Sequence, residues 1–130
     1  MLKPAKNSLD LGVVVSDIEA SLAFYRDTLG LDYVGSNTLP FGTLHRLRFG
    51  TSDFKLIDPA AAPPAGPKGL MASLGFRYVT FLVTNLEEVC AKLAALGVFF
   101  ELDLCEIRPG VKIAMVRDPD DNVVEFVQLV

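Results

Sequence analysis

The apolar positions of this chain fall into two copies of one pattern. In "VVVSDIEASLAFYRDTLGL" (13–31) a short apolar run meets a polar break, and then Ile18, Leu22, Tyr25 and Leu29 recur at helical spacing. In "FLVTNLEEVCAKLAALGV" (81–98), one residue shorter, the same order carries Leu86, Val89, Leu93 and Leu96. Each opening run reads as a buried strand, and each helix is predicted to start with a capping box, Ser16 with Glu19 and Thr84 with Glu87. The hydroxyl would accept from the backbone N–H three residues on, while the glutamate reaches back. Gly30 and Gly97 follow, where the position after a helix favours a left-handed backbone.

Three strand-like stretches come after each helix: "LDYVGSNT", "TLHRLRF" and "FKLID" in the first copy, "VFFELDL", "VKIAMVR" and "NVVEFVQLV" in the second. Turn residues separate them at Gly42, Ser52-Asp53, Pro109-Gly110 and Asp118-Pro-Asp-Asp-Asn122. The pattern predicts an α+β fold made of a βαβββ unit used twice, and duplication is the simplest explanation. Between the copies, "DPAAAPPAGPKGLMASLG" is too rich in proline and glycine to hold a regular element. The expected organisation is one domain over 1–130, with module 1 (8–58), a linker (59–75) and module 2 (76–130).

Composition narrows the partners. At 51% hydrophobic residues the chain can bury the core of one ordinary domain. A net charge of −4, with twelve scattered Lys and Arg, argues against nucleic acid, which demands a basic face. No apolar run approaches the roughly 18 residues that span a bilayer, and the opening stretch lacks the apolar segment of a signal peptide. A cytoplasmic protein with a small-molecule partner is expected. Cys90 and Cys105 have no metal-clip spacing and read as reduced, packed thiols.

Taken with the duplicated frame, "SLAFYRDTLGL" (21–31) and "RDPDDNVVEFVQ" (117–128) resemble the vicinal oxygen chelate superfamily, which includes glyoxalase I, extradiol dioxygenases and bleomycin-binding proteins. The resemblance covers nearly the whole chain. It implies mixed sheets curled around a cleft built from neighbouring modules, and in the enzymes a divalent metal held by residues from the first and last strand of each module; with the duplicated sheet edges, that habit leads us to expect a homodimer.

The resemblance makes Glu125, in the middle of Val-Val-Glu-Phe-Val, the counterpart of the last metal ligand. Alternation would turn it to the cleft with Val123 and Val127 while Val124 and Phe126 pack on the helix. The alternative is a carboxylate paired with Arg46, Arg48 or Arg117. The other ligand positions have changed: the two histidine positions fall on Asp10 and Tyr78, and the fourth near Leu56. Such a set is poor in metal donors, so no cofactor is expected. The alternative is a divalent metal (Mn, Fe, Ni or Zn) on Glu125 with Asp10 and His45, the only histidine. Otherwise His45 reads as a hydrogen-bonded packing or substrate-contacting residue.

Gly12 and Val14 beside Asp10, Thr80 and Leu82 beside Tyr78, and Phe54 beside Leu56 are expected to line the cleft, with His45 and Arg46 as further substrate contacts. If Asp10 and Glu125 approach each other, one should keep its proton well above the usual range. Three functions follow. One is a metal-independent isomerase or lyase with Glu125 or Asp10 as base and Tyr78 as hydrogen-bond donor. Another is a non-catalytic, drug-sequestering binding protein. The third is a metal-dependent lyase, isomerase or dioxygenase.

Overall fold

The computed structural model describes residues 1–130, which divide into two compact units, Met1–Pro64 and Ala65–Val130. Each holds one four-stranded mixed sheet with a helical segment packed on one face, so the fold is α+β with the βαβββ order used twice.

In the first unit, β1 (Leu11–Val14) leads into α1 (Ile18–Leu22), followed by β2 (Asp32–Leu39), β3 (Gly42–Phe49) and β4 (Ser52–Pro59). The sheet order is β1-β4-β3-β2, with β1 parallel to β4 and the other pairs antiparallel. A parallel neighbour needs a crossover, and the helix supplies it. The helix caps on Asp17 rather than on Ser16, with the Asp17 carboxylate accepting from the Ala20 N–H at 3.2 Å. Beyond Leu22 it widens into a π-helical stretch, Ala23–Thr28. That wider turn lets Phe24 and Tyr25 both face the sheet, their rings 4.9 Å apart and edge-on. The Tyr25 ring lies 4.5 Å from that of Phe54 on β4. Leu47, Phe54 and Leu56 complete this core.

In the second unit, β5 (Tyr78–Leu82), α2 (Leu86–Ala95), β6 (Phe100–Arg108), β7 (Val111–Arg117) and β8 (Val123–Leu129) repeat the plan in the order β5-β8-β7-β6. Leu86, Cys90 and Leu93 of α2 face a sheet surface that holds Phe81, Ala114, Val116, Val124 and Phe126. The expected Thr84 cap is replaced from outside the helix. Gln128 on β8 accepts from the Leu86 N–H at 2.9 Å and donates to the Thr84 carbonyl at 3.0 Å, so one amide ties the helix start to the last strand. At the other end Gly97 (φ 74°) turns left-handed, and the Gly97 and Val98 N–H groups return to Ala94 and Leu93. Both cysteines are free thiols, and burial pushes that of Cys90 up. No helix is long and apolar enough to cross a membrane.

Candidate functional site

The last strand of the second unit begins with a turn organised by one buried carboxylate. Asp118 accepts from the backbone N–H of Asp120 (2.9 Å) and Asn122 (2.8 Å) and from the Asn122 side-chain amide (2.9 Å). These bonds fix where β8 starts, and period-two alternation does the rest. Val124 and Phe126 are buried against α2, so Glu125 is carried to the opposite face.

Parallel pairing sets Thr80 directly beside Glu125, and the Thr80 hydroxyl donates to Glu125 Oε1 at 2.6 Å. Tyr78, two residues earlier, shares that face and is 55% exposed. Met115 and Leu102 continue the row across β7 and β6. The three arginines named as alternative partners are engaged elsewhere. Arg117 donates to Glu101 at 2.7 Å and stacks over the Phe99 ring at 4.6 Å, while Arg46 and Arg48 flank Asp53 at 3.5 and 3.2 Å. The Arg117 guanidinium and then the Leu70 N–H hold the Glu101 carboxyl below the usual range.

In the first unit the register corrects the expected equivalences. Gly12 pairs with Lys55 as Thr80 pairs with Glu125, so the counterpart of Glu125 is Lys55 and not Leu56. Leu56 and Phe54 are buried on the helix side and line no open face. His45 is the cross-strand neighbour of Leu56 and shares its side of the sheet, where its Nδ1 lies 2.8 Å from the Tyr33 hydroxyl. It therefore stands on the opposite face from Asp10, Lys55 and Arg46, and the sheet does not bring it together with Asp10.

Asp10 lies just before β1, in the register position that Tyr78 occupies in the second unit. Its carboxylate accepts from Lys6 Nζ at 2.6 Å and from the Asp53 N–H at 2.8 Å. Those two donors, Lys6 first, hold it below the usual carboxylate range, with a weaker pull from Lys55. These neighbours favour the ionised form of Asp10. No group of three or more His, Cys, Asp or Glu side chains gathers as a metal cage.

Arg46 was expected as a substrate contact, but Lys55 beside it was missed from sequence because the two last strands were matched one residue out of step. The alternation in Asp53-Phe-Lys-Leu-Ile57, apolar at 54 and 56, was the available signal.

The sequence profile of the Glyoxalase/Bleomycin resistance protein/Dioxygenase superfamily matches residues 9–126. A glyoxalase family protein from Enterococcus faecalis is 25% identical, with 95% of this chain and 98% of that one covered and a TM-score of 0.77. TnmS3, an antibiotic binding protein from a Streptomyces species, is 25% identical over 98% of this chain and 100% of its own, at a TM-score of 0.73. A lactoylglutathione lyase from Agrobacterium tumefaciens is 26% identical over 97% and 96%, at 0.69. With a profile match across nearly the whole chain and solved structures of the same fold over most of its length, this protein belongs to the glyoxalase/bleomycin resistance protein/dioxygenase superfamily.

Proposed function

We propose that this chain binds a small organic molecule on the sheet faces turned away from its helices, and that it does so with its own side chains rather than through a divalent metal. The observation that carries this reading is the set of groups at the register positions flanking the first and last strand of each unit: Asp10, Lys55, Tyr78 and Glu125. First-row dications need several anionic or imidazole donors. Here one position is a cation, one a phenol, and one a carboxylate already held by Lys6, which leaves Glu125 alone. That donor set does not fit the metal.

Taken unit by unit, the groups suit a polar organic ligand: an oriented carboxylate and a phenol beside Met115 and Val127 on the second sheet, and a cation beside Val14 and Ile57 on the first. Glu125, aligned by the Thr80 hydroxyl, is the group placed to accept a proton should the ligand be turned over, with Tyr78 as the donor on the same face. Resemblance to both an antibiotic binding protein and a lyase fits either outcome. A ligand-observed NMR screen of a few hundred small molecules in the presence of EDTA tests the reading. It predicts hits that weaken in Glu125→Ala, and a library that yields no hit, or hits indifferent to that substitution, contradicts it.

A further inference from the structure

One row of residues runs straight across the first sheet on the face away from the helix. In register it reads Gly12 on β1, Lys55 on β4, Arg46 on β3 and Gly35 on β2. Two cations stand side by side at the centre of the sheet, and the positions on either flank have no side chain. A Cβ added at Gly35 would meet nothing within 4 Å, and one at Gly12 only the tip of Ile57 at 4.0 Å. Beside this row a depression of about 170 Å³ is lined by Val34, Gly35, Ser36, Asn37 and Arg46.

The cations are incompletely matched by the protein. Asp53 is shared between Arg46 and Arg48, and Asp10 is bonded to Lys6. Arg46 Nε lies 3.5 Å from Asp53 Oδ2, near enough for charge attraction but without hydrogen-bond geometry, and this buried N–H has no partner. Lys55 makes neither a hydrogen bond nor an ion pair. A buried N–H without a hydrogen-bond partner is costly, and an acceptor arriving beside Lys55 would satisfy it. The neighbouring row on the same face, Val14, Ile57 and Leu44, is apolar.

We infer that this row is an anchor for the oxyanion of a small organic acid: Arg46 and Lys55 take the carboxylate or phosphate, the glycine-flanked gap admits it, and the Val14–Ile57–Leu44 row receives the apolar body. A guanidinium presents a planar fork to such groups, and an adjacent ammonium adds a point charge. The inference deepens the small-molecule reading and rests on it, assigning the charge of the ligand.

The test is a two-dimensional NMR titration of the ¹⁵N-labelled full chain with sodium benzoate, phenyl phosphate, neutral benzamide and benzylamine at constant ionic strength. Saturable shifts from benzoate or phenyl phosphate at Gly12, Gly35, Arg46 and Lys55 are expected, and a stronger response to one of the two tells carboxylate from phosphate. Benzamide should bind about tenfold more weakly or worse, the loss of one charge-assisted contact. Arg46→Ala and Lys55→Ala should each weaken benzoate by a similar factor. Gly12→Val keeps every charge, suits a strand and fills the flank, so it should block binding without unfolding. Equal affinity for benzamide or benzylamine, shifts elsewhere in the chain, indifference to all three substitutions, or no saturable shift with either anion into the tens of millimolar would overturn the anchor. Binding that ignores ligand charge would do so while leaving the small-molecule reading standing, whereas a screen without hits of any charge removes that reading itself.

Discussion

Lys55 holds in the first unit the position that Glu125 holds in the second. Each sits on the last strand of its unit, on the face away from the helix, beside the third-from-last residue of the first strand, Gly12 or Thr80. Duplication made the two frames equivalent, and the side chains on them have opposite charge. The Thr80 hydroxyl orients Glu125 at 2.6 Å, whereas Gly12 offers Lys55 no side chain at all.

Thr80→Val keeps shape and strand preference but removes the donor to Glu125. Because the bond is partly open to solvent, its loss should cost no more than about 1 kcal/mol in urea unfolding. Ligands from the EDTA screen should nevertheless weaken, since the carboxylate is no longer aligned. Unchanged affinity together with unchanged stability would mean that this bond positions nothing.

Asp118 should behave in the opposite way, as a structural group. Its carboxylate accepts three hydrogen bonds at the turn before β8 and is only 5% exposed. Asp118→Ala leaves those donors unmet in a protected turn, so a loss of about 2–4 kcal/mol and a clearly lowered Tm are expected. A melting curve within a degree of wild type would contradict the assignment.

The Glu101–Arg117 pair predicts a pH dependence. Ionised Glu101 is favoured by the Arg117 guanidinium and the Leu70 N–H, so its folded pKa lies below the unfolded value. Its stabilisation is therefore fully present above the ordinary glutamate value of about 4.3 and is lost as pH falls through the lower folded pKa. Carboxyl NMR should show Glu101 titrating below the exposed glutamates, and Glu101→Gln should flatten part of the acid limb of Tm against pH. A Glu101 that titrates at or above the ordinary value would contradict this.

Much of this architecture is legible in the amino-acid sequence, because alternation and helical period are imposed by burial. β7 was expected over Val111–Arg117 and occupies those residues, and both glycines after the helices turn left-handed as expected. What escaped depends on groups distant in sequence. Gln128 caps α2 from β8, so Thr84 was a reasonable but mistaken cap. The π-helical widening after Leu22 accompanies Tyr25 packing on Phe54, which no local propensity encodes. Glu125 could be found because the terminal phrase carries it in a recognisable frame, and Thr80 because alternation from Tyr78 through the repeat puts it on the same face. Lys55 could not be found through the wrong equivalence with Leu56, since a one-residue slip exchanges the faces of a strand.

His45 offers a control for the choice of face. It stands on the helix side with its ring bonded to Tyr33. Tyr33→Phe should remove that bond at a cost of about 1 kcal/mol or less and leave small-molecule affinity unchanged. Affinity that collapses in Tyr33→Phe while the melting temperature holds would move the site to the wrong side of the sheet.

The most direct test of the account is calorimetric titration of Mn²⁺ and Zn²⁺ into chelator-treated protein, with Glu125→Ala alongside. The replaced ligand positions, Asp10 held by Lys6, Lys55 and Tyr78, predict no stoichiometric site in the micromolar range for either ion and no difference between the two proteins. A one-to-one micromolar site that disappears in Glu125→Ala would contradict the account and return Glu125 to the role of a metal ligand.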